Sequence, residues 1–358
     1  MSDADARPEP LTVVVVGLGQ MGQSHALAYH HSPNFRILGF VTRSPVTLPP
    51  DLQGYPFFPS LDAALAADDQ GKKAPDVVSV NSHSDTHAQF AIAAMEAGCH
   101  VFVEKPLAPT VAEARRVADA ARRTGRKLLV GYILRHHPAW ERFVAEARAL
   151  GSPCVMRMNL NQRSAGAAWE VHRKIMGSVS PVVDCGVHYV DAMLRVARGR
   201  PVQVRGMGVR LSEEVPAGQV NYGHLQVTFE DGSVGWYEAG WGPMISETAY
   251  SVKDVMGPGG SASLVMDRGN GSADVNSHTK VSGIRVRRVE DGEAERMLDT
   301  GADVDHYELC AREQEYLADA IRTGRDLGQH MEDAVLSLAV VLAADQSMRE
   351  KRAVDLDL

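Results

Sequence analysis

The sequence lacks the features that mark membrane, secreted and nucleic-acid-binding proteins. No stretch approaches the roughly 18 consecutive apolar residues that a membrane helix needs. There is no run of five like charges and no basic stripe with interleaved aromatics, and aromatic residues make up only 6% of the chain. The 37 Lys and Arg are outnumbered by 45 Asp and Glu, which gives a formal charge of -8. This balance argues against a nucleic-acid partner and against an anionic membrane surface.

Cysteine is also scarce. Cys99, Cys154, Cys185 and Cys310 lie far apart, and no Cys-x-x-Cys pair occurs. The spacing matches neither a disulfide framework nor a zinc motif, and it is typical of reduced thiols packed as small apolar side chains. Residues 1–10 are polar, so we interpret them as a disordered leader and not as a secretory signal. Together these features predict a cytoplasmic protein.

A chain of 358 residues with 44% hydrophobic side chains is long enough for two domains. Over the first part of the chain, short apolar runs of strand length alternate with helical patterns. The predicted strands are 11–16, 36–42, 76–80, 100–103 and 127–131, and the predicted helices are 21–31, 61–67, 86–97 and 110–123. This alternation predicts an α/β fold with a doubly wound parallel sheet.

The pattern changes after a helix predicted at 138–150. Short alternating strands are predicted at 154–161, 202–209, 225–229, 234–239, 250–256 and 262–266, and helices at 184–197, 304–323 and 332–349. Turn sequences such as Asp231-Gly232 separate the strands. We therefore expect a second, α+β domain with a large, mostly antiparallel open sheet. The closing helix 332–349 is the one element that we consider able to pack back on the first domain.

A glycine loop joins the first predicted strand to the first predicted helix, and it reads Gly17-Leu18-Gly19-Gln20-Met21-Gly22. The first glycine of such a loop permits a tight turn, and the second lets the main chain approach a pyrophosphate. The third allows close packing of helix on strand, and the amide end of the helix then holds negative charge. In this strand-to-helix context the loop predicts dinucleotide binding.

The end of the second predicted strand carries no acid of the kind that binds the ribose of NAD. It reads Thr42-Arg43-Ser44 instead. Arg43 is suited to pair with a 2′-phosphate, with the two hydroxyls as further donors, which favours NADP over NAD. The alternative is a solvated arginine on a loop.

Two later motifs point to a family. The fourth strand ends in His-Val-Phe-Val-Glu-Lys-Pro at residues 100–106, and residues 184–191 read Asp-Cys-Gly-Val-His-Tyr-Val-Asp. With the glycine loop, residues 82–87 and residues 131–138, they resemble the Gfo/Idh/MocA oxidoreductases over most of the chain. The resemblance implies a Rossmann domain, here 11–134, that binds NADP or NAD. It also implies a domain at 135–358 whose open sheet covers the substrate cleft and builds a homodimer or homotetramer.

The resemblance implies catalytic and substrate-binding roles for Lys105, Asp184 and His188. The chemistry supports them, because oxidation of an alcohol needs a group that accepts the hydroxyl proton, and histidine suits neutral pH. An ammonium group beside the oxygen lowers the cost of the charge that builds there. The alternatives are a solvated lysine, an aspartate that only caps a helix and a histidine packed in the core. Asp184 and His188 lack an evident third ligand, so no metal is predicted.

Further candidates have weaker support. The cofactor site is expected to include Ser82, His83, His87, Glu104 and Lys105, with capping of the next helix as the alternative role of the two histidines. Arg135, Trp169 and His172 are candidates for substrate binding. The alternative for Arg135 is a surface charge, and the alternative for Trp169 is core packing. Glycine-rich runs precede the aspartate in many members of the family, but residues 177–183 contain one glycine. The shape of the substrate is therefore not inferred from the glycine-rich members of the family.

The sequence thus predicts an NAD(P)-dependent oxidoreductase. It would transfer hydride between a nicotinamide cofactor and a hydroxyl or keto carbon of a sugar, polyol or related cyclic substrate. One alternative is an NAD-dependent glycosidase that acts by transient oxidation and elimination. Another is a dinucleotide-binding regulator without turnover, although a pure binder has no need of Lys105, Asp184 and His188 together.

Overall fold

The computed structural model describes residues 8–43, 46–67, 74–248, 251–266, 271–272, 275–292, 294–301 and 304–357. The chain forms two compact units. Unit 1 contains residues up to Gly131 and Tyr307–Val335, and unit 2 contains Tyr132–His306 and Leu336–Leu358. The sequence suggested two contiguous domains, one ending at residue 134 and the other beginning at residue 135. In the structure, residues 307–335 belong to unit 1 as well. In the described residues, no helix has the length and apolar character needed to cross a membrane.

The strands and helices alternate regularly in unit 1 and less regularly in unit 2. The strands are β1 Leu11–Val16, β2 Phe35–Val41, β3 Phe57–Phe58, β4 Val77–Val80, β5 His100–Val103, β6 Leu128–Val130, β7 Val155–Gln162, β8 Pro201–Val209, β9 Tyr222–Phe229, β10 Val234–Trp241, β11 Lys253–Gly257, β12 Gly260–Met266, β13 Val281–Arg288, β14 Glu295–Leu298 and β15 Val354–Asp355. The helices are α1 Gln20–His31, α2 Leu61–Leu65, α3 His87–Glu96, α4 Val111–Thr124, α5 Pro138–Arg148, α6 Gly166–Ile175, α7 Pro181–Asp184, α8 Gly186–Val196, α9 His306–Thr323 and α10 Gly328–Glu350.

Unit 1 is built on a parallel sheet of six strands in the order β3-β2-β1-β4-β5-β6. The prediction of a doubly wound parallel sheet is confirmed. β1 and β4 are apolar almost throughout because both faces of these central strands are covered. β3 was not predicted, since two residues, of which Phe57 is exposed, are too few to make a periodic pattern.

Local signals set the helix ends of unit 1 as expected. The Thr110 hydroxyl accepts a hydrogen bond from the Glu113 amide at 3.2 Å and caps α4. Gly98 follows α3 with a φ of 94°, and Gly125 ends α4 with a φ of 68°; both values favour glycine. These helices therefore stop where a residue without a side chain permits a left-handed turn.

Helix α9 joins unit 1 although it is distant in sequence. Leu317 and Ala318 lie in one buried apolar cluster with Val13, Tyr29 and Phe102. The apolar face of this helix completes the core beside α1 and β5. Burial of this surface is the physical reason why residues 307–335 belong to unit 1, since each buried apolar side chain stabilises the fold by about 1.5–3 kcal/mol.

Unit 2 contains a sheet of nine strands in the order β14-β13-β12-β11-β7-β10-β9-β8-β15. The pairing of β7 with β10 is parallel, and the pairings next to it are antiparallel. The prediction of a large, mostly antiparallel sheet is confirmed. β13 and β14 were not predicted, because the arginines of β13 interrupt its apolar pattern. β11 begins at Lys253, three residues later than expected, and Tyr250 lies outside the described residues.

The helix expected over 184–197 is two helices. α7 is capped by the Ser180 hydroxyl, which accepts from the Val183 amide at 3.2 Å, and it ends at Asp184. The chain tightens at Cys185, whose carbonyl accepts from the His188 amide at 3.2 Å, and α8 follows. Helix α6 was not predicted, and Trp169 is its one buried residue.

The four cysteines are buried thiols and form no disulfide. This confirms the prediction that they pack as small apolar side chains. A buried lysine is less expected. Lys253 on β11 is 1% exposed, its ammonium lies 4.4 Å from the centroid of the Tyr189 ring, and it donates to the Asn159 carbonyl and to the Ser251 hydroxyl. Burial lowers the pKa of Lys253 from 10.5 to about 7.

We expect Lys253→Met to stabilise the protein below pH 7. Because the pKa of Lys253 is lower in the folded protein, the unfolded chain binds more protons between pH 7 and 10.5, and stability rises with pH across this window. An apolar side chain of similar length removes the cost of the buried charge and should raise the free energy of unfolding at pH 6 by about 1–4 kcal/mol.

Urea unfolding at pH 6, 7, 8 and 9 measures the effect. Lys174→Met, at an exposed lysine of the same unit, is the control. A variant that is less stable at pH 6 would contradict the assignment.

Candidate active site

The glycine loop of unit 1 is packed too tightly for side chains at two of its three glycines. Gly17 has a φ of 86°, and a Cβ there would lie 2.6 Å from the Ser82 nitrogen. A Cβ on Gly22 would lie 2.0 Å from the Gly17 carbonyl oxygen. Main chain therefore meets main chain where β1 turns into α1, which holds the start of the helix against the sheet.

Gly19 differs from the other two glycines. Among the described residues, apart from Gly19 itself and its two chain neighbours, no atom lies within 4 Å of the position that its Cβ would occupy, and Gly19 precedes α1 without a capping side chain. Gln20 and Met21 form the first turn of that helix, and Gln20 is exposed. The amide end of α1 thus faces open space, which is the arrangement that binds a phosphate group. A dinucleotide pyrophosphate fits this loop on steric and electrostatic grounds.

The tip of β2 lies beside the glycine loop, because the Gly17 amide donates to the Val41 carbonyl at 2.8 Å. Thr42 is half-buried and Arg43 is exposed. Neither supplies a carboxylate, as the sequence indicated. Ser44 lies outside the described residues.

The turn after β4 contains the predicted residues Ser82, His83 and His87. The Ser82 hydroxyl lies 2.6 Å from the Thr86 hydroxyl, and exposed His83 lies 3.0 Å from the Asp85 carboxylate. His87 is buried, with Nδ1 2.8 Å from the Pro106 carbonyl and Nε2 2.9 Å from the Ser82 carbonyl. Burial lowers its pKa. His87 therefore ties two turns of unit 1 together, and any contribution to cofactor binding would act through Ser82.

Glu104 and Lys105 follow β5, at the same end of the sheet as the glycine loop. One carboxylate oxygen of Glu104 lies 2.8 Å from His25 Nε2, and the other accepts from the Lys105 amide at 3.0 Å. The Lys105-Pro106 peptide bond is cis. Ligands of open parallel sheets bind outside the carboxyl ends of the strands, so Lys105 lies at the edge where chemistry is expected.

Asp184 and His188 belong to unit 2, and both are half-buried. The Cys185 sulfur lies 3.8 Å from an Asp184 oxygen and 3.7 Å from the Gln162 side-chain oxygen. Burial lowers the pKa of His172 to about 4, although the negative charge of Asp184 acts in the opposite direction. The His188 ring lies 5.9 Å from the Tyr132 ring, centroid to centroid. His172 and Asp184, predicted separately, are therefore close enough to interact.

Three further residues are connected to Asp184 through Cys185 and His172, and the sequence did not indicate them as site residues. The Trp241 indole donates to Gln162 Oε1 at 2.6 Å and stacks on the His172 ring at 4.2 Å. His278 Nε2 lies 3.4 Å from Gln162 Nε2. We call this group the Asp184 cluster; its members are Gln162, His172, Asp184, Cys185, Trp241 and His278. Gln162 was detectable as a polar residue at a buried strand end, whereas no periodic pattern surrounds His278.

Two substrate candidates are engaged elsewhere in unit 2. The Arg135 guanidinium forms a bidentate pair with Asp191, at 2.9 Å and 2.6 Å, and Asp191 is 2% exposed. The pair uses Nε and Nη2 of Arg135 and fixes the orientation of its guanidinium. Trp169 is buried and donates to Glu214 at 3.2 Å, which favours its packing role.

Within the described residues, two groups have the composition of a metal site. His25, Cys310 and Glu313 have ligand atoms within 4.8 Å of one another, and exposed His30, His31 and Asp51 form the second group. Both ring nitrogens of His25 are hydrogen bonded, to Glu104 and to Gln314, so this histidine offers no open ligand atom. Neither group includes a predicted catalytic residue, and we assign no metal to them.

Known proteins resemble the chain over both units. Residues 11–132 match the NAD-binding Rossmann fold of an oxidoreductase family, and residues 146–356 match the C-terminal alpha/beta domain of the same family. The chain is 30% identical to the D-glucoside 3-dehydrogenase of Escherichia coli K12 over 202 residues, which are 52% of this chain and 54% of that protein. It is 27% identical to the 1,5-anhydro-D-fructose reductase of Ensifer adhaerens over 295 residues, which are 79% of this chain and 80% of that enzyme.

A solved structure extends the likeness to the whole fold. A putative NADPH-dependent oxidoreductase from Desulfitobacterium hafniense superposes with a TM-score of 0.76 at 22% identity, covering 98% of each chain. At this identity the superposition shows the fold alone, whereas the two family matches cover most of the sequence. The glycine loop, the Glu-Lys-Pro segment and the Asp184–His188 segment lie within the matched ranges. The chain therefore belongs to the Gfo/Idh/MocA family of NAD-binding oxidoreductases.

Proposed function

We propose that the protein transfers hydride between a nicotinamide cofactor and a hydroxyl or keto carbon of a sugar, polyol or related cyclic substrate. The observation that carries this proposal is the open space at Gly19 before α1, with Lys105 at the same end of the sheet. Unit 2 supplies the polar Asp184 cluster. Its carboxylate, amide and imidazole groups suit a ligand rich in hydroxyls.

Each proposed catalytic residue has a distinct task. His188 accepts the hydroxyl proton as hydride leaves for the nicotinamide, and it returns the proton in the reverse direction. The Lys105 ammonium stabilises the negative charge that builds on the substrate oxygen. Asp184 binds a substrate hydroxyl or steadies the imidazole of His188. The names of the two enzymes compared above, a glucoside dehydrogenase and an anhydrofructose reductase, support a carbohydrate substrate.

We expect Lys105→Ala and His188→Ala each to lower turnover by about 10²–10⁴-fold, because each removes a group that acts in the transition state. Cofactor affinity should remain within a few-fold of the wild-type value. The measurement is steady-state kinetics with NAD⁺ and NADP⁺ on a panel of inositols, glucosides and anhydro-sugars, and of their ketones with the reduced cofactors. Lys174→Ala and His30→Ala, at exposed positions, are the controls. Full activity in either test variant would remove that residue from the mechanism.

We propose further that NADP is the preferred cofactor, because Arg43 at the tip of β2 is exposed and no carboxylate stands at Thr42 or Arg43. Arg43→Ala should weaken NADPH binding by about 10–100-fold, the loss expected for a charge-assisted pair, and should hardly change NADH binding. Titration of nicotinamide fluorescence measures both affinities.

Gly19→Val is the control for this titration, since it fills the open space before α1 and should abolish binding of both cofactors while the chain still folds. Equal losses for the two cofactors in Arg43→Ala would show that Arg43 does not distinguish them. Wild-type protein that binds neither cofactor would refute the proposed function itself.

We propose that the exposed face of the nine-stranded sheet joins copies of the chain into a homodimer or homotetramer. Over the first four residues of β7 and of β10, more exposed residues alternate with buried ones; Val155, Arg157 and Val234 are exposed, and Trp236 is half-buried. The parallel register sets Val155 beside Val234 and Arg157 beside Trp236. An apolar strip with a polar border is typical of a subunit interface. The buried thiols support a reducing, cytoplasmic location.

Val234→Glu should shift the protein towards the monomer, because a carboxylate in the middle of this strip would be buried without a partner. Sedimentation velocity over a range of concentrations measures the change. Val171→Glu is the control, at a position on α6 that is 53% exposed. An unchanged sedimentation coefficient in Val234→Glu would exclude this face as the interface, and a wild-type monomer would exclude assembly altogether.

A further inference from the structure

A chain of hydrogen bonds crosses the interior of unit 1 and ends on the main chain of Lys105. Gln314 on α9 lies with its side-chain nitrogen 2.9 Å from His25 Nδ1. His25 on α1 lies with Nε2 2.8 Å from one oxygen of Glu104. The other oxygen of Glu104 accepts from the Lys105 amide at 3.0 Å. Three elements distant in sequence therefore converge on one peptide group.

The chemistry of the partners fixes the direction of every bond. A carboxamide nitrogen can only donate, so His25 Nδ1 accepts from Gln314. Nε2 of a neutral ring then carries the proton and donates to Glu104. Glu104 accepts at both of its oxygens, an arrangement that suits the carboxylate form. Gln314 thereby selects the tautomer that His25 needs in order to hold Glu104.

Burial makes this arrangement rigid. His25 and Gln314 are 0% exposed and Glu104 is 7% exposed, so a broken bond would leave a polar group without water to replace the lost partner. Glu313 lies in the same interior and is 1% exposed. Its burial, and secondly the negative charge of Glu104, raise its pKa well above the ordinary value. Both effects disfavour a second negative charge on Glu313 beside Glu104.

The peptide that follows Lys105 is held as well. The Pro106 carbonyl lies 2.8 Å from Nδ1 of buried His87, which also contacts the Ser82 carbonyl through Nε2. The Lys105 amide is thus held by the Glu104 carboxylate, which His25 contacts, and the Pro106 carbonyl is held by His87. With both ends of the segment held, the side chain of Lys105 leaves the sheet edge from a defined point.

We propose that His25 and Gln314 are positioning residues that fix Lys105 through the carboxylate of Glu104. This inference rests on the proposed function, in which Lys105 stabilises charge on the substrate oxygen. Neither residue touches substrate or cofactor in this role. Their contribution is geometric: a displacement of about 1 Å at a catalytic group can lower a rate by about 100-fold.

Two substitutions of His25 separate its two bonds. In His25→Gln the side-chain nitrogen lies near the former Nε2 and keeps a donor for Glu104. In His25→Asn the shorter side chain keeps a polar group near Gln314 and loses the bond to Glu104. We expect His25→Asn to lower kcat by about 10–100-fold, with KM and cofactor affinity changed by less than about threefold. We expect His25→Gln to restore most of kcat.

Hydrogen exchange provides a readout that does not need a substrate. The Lys105 amide should exchange at least about tenfold faster in His25→Asn than in the wild type, while His25→Gln keeps its protection. Mass spectrometry of overlapping peptides across residues 100–110 isolates this amide, since Pro106 carries none. Exposed His30→Asn on the same helix is the control and should leave exchange and kcat unchanged.

If His25→Asn does not fold, Gln314→Leu breaks the far end of the chain of hydrogen bonds. It should give the same changes in exchange and kcat, reduced in size.

The outcomes separate this inference from the proposed function. Unchanged kcat and unchanged Lys105 exchange in His25→Asn would overturn the inference while leaving the function intact. The inference would also be overturned if His25→Asn and His25→Gln lost kcat equally and in proportion to the decrease in their melting temperatures. Such a result would indicate a general loss of stability. If the wild type turns over no substrate, the proposed function fails, and the exchange measurement still decides whether His25 holds the Lys105 amide.

Discussion

Close packing of main chain against main chain, where β1 and β4 end, is the constraint on which unit 1 depends. Gly17 and Gly22 lack side chains because a Cβ at either would overlap backbone atoms of the adjoining turns. That packing aims the amide end of α1 at open space before Gly19 and brings the tip of β2 alongside. The parallel strand order then brings Lys105, after β5, to the same edge.

Unit 2 follows a different principle, in which one face of a large sheet is covered by helices and the other stays exposed. The covered face buries Met156, Met158 and Tyr237. Lys253 is enclosed among these layers at 1% exposure, and this burial lowers its pKa. The Asp184 cluster lies where α7 and β7 end. A carboxylate, a carboxamide and two imidazoles therefore lie close together in unit 2.

Polar groups buried in the two units serve two purposes. The pair of Arg135 with Asp191, and the contact of His87 Nδ1 with the Pro106 carbonyl, fix the chain locally. The bonds from Gln314 through His25 to Glu104 link three elements to the main chain of a proposed catalytic residue. In both cases the low polarity of the interior makes an unsatisfied partner costly, which is why these contacts hold a defined geometry.

The sequence by itself determined the parallel sheet, the glycine loop and the cap positions at Gly98 and Thr110, because these depend on local periodicity and on residues with restricted backbone preferences. It also indicated Lys105, Asp184 and His188 through short motifs. Only the tertiary structure decided that α9 belongs to unit 1, that Arg135 is held by Asp191 and that Gln162, Trp241 and His278 lie beside Cys185 and His172. These contacts join residues far apart in the chain, and no local pattern encodes which distant side chain will complete a buried hydrogen bond or fill an apolar face.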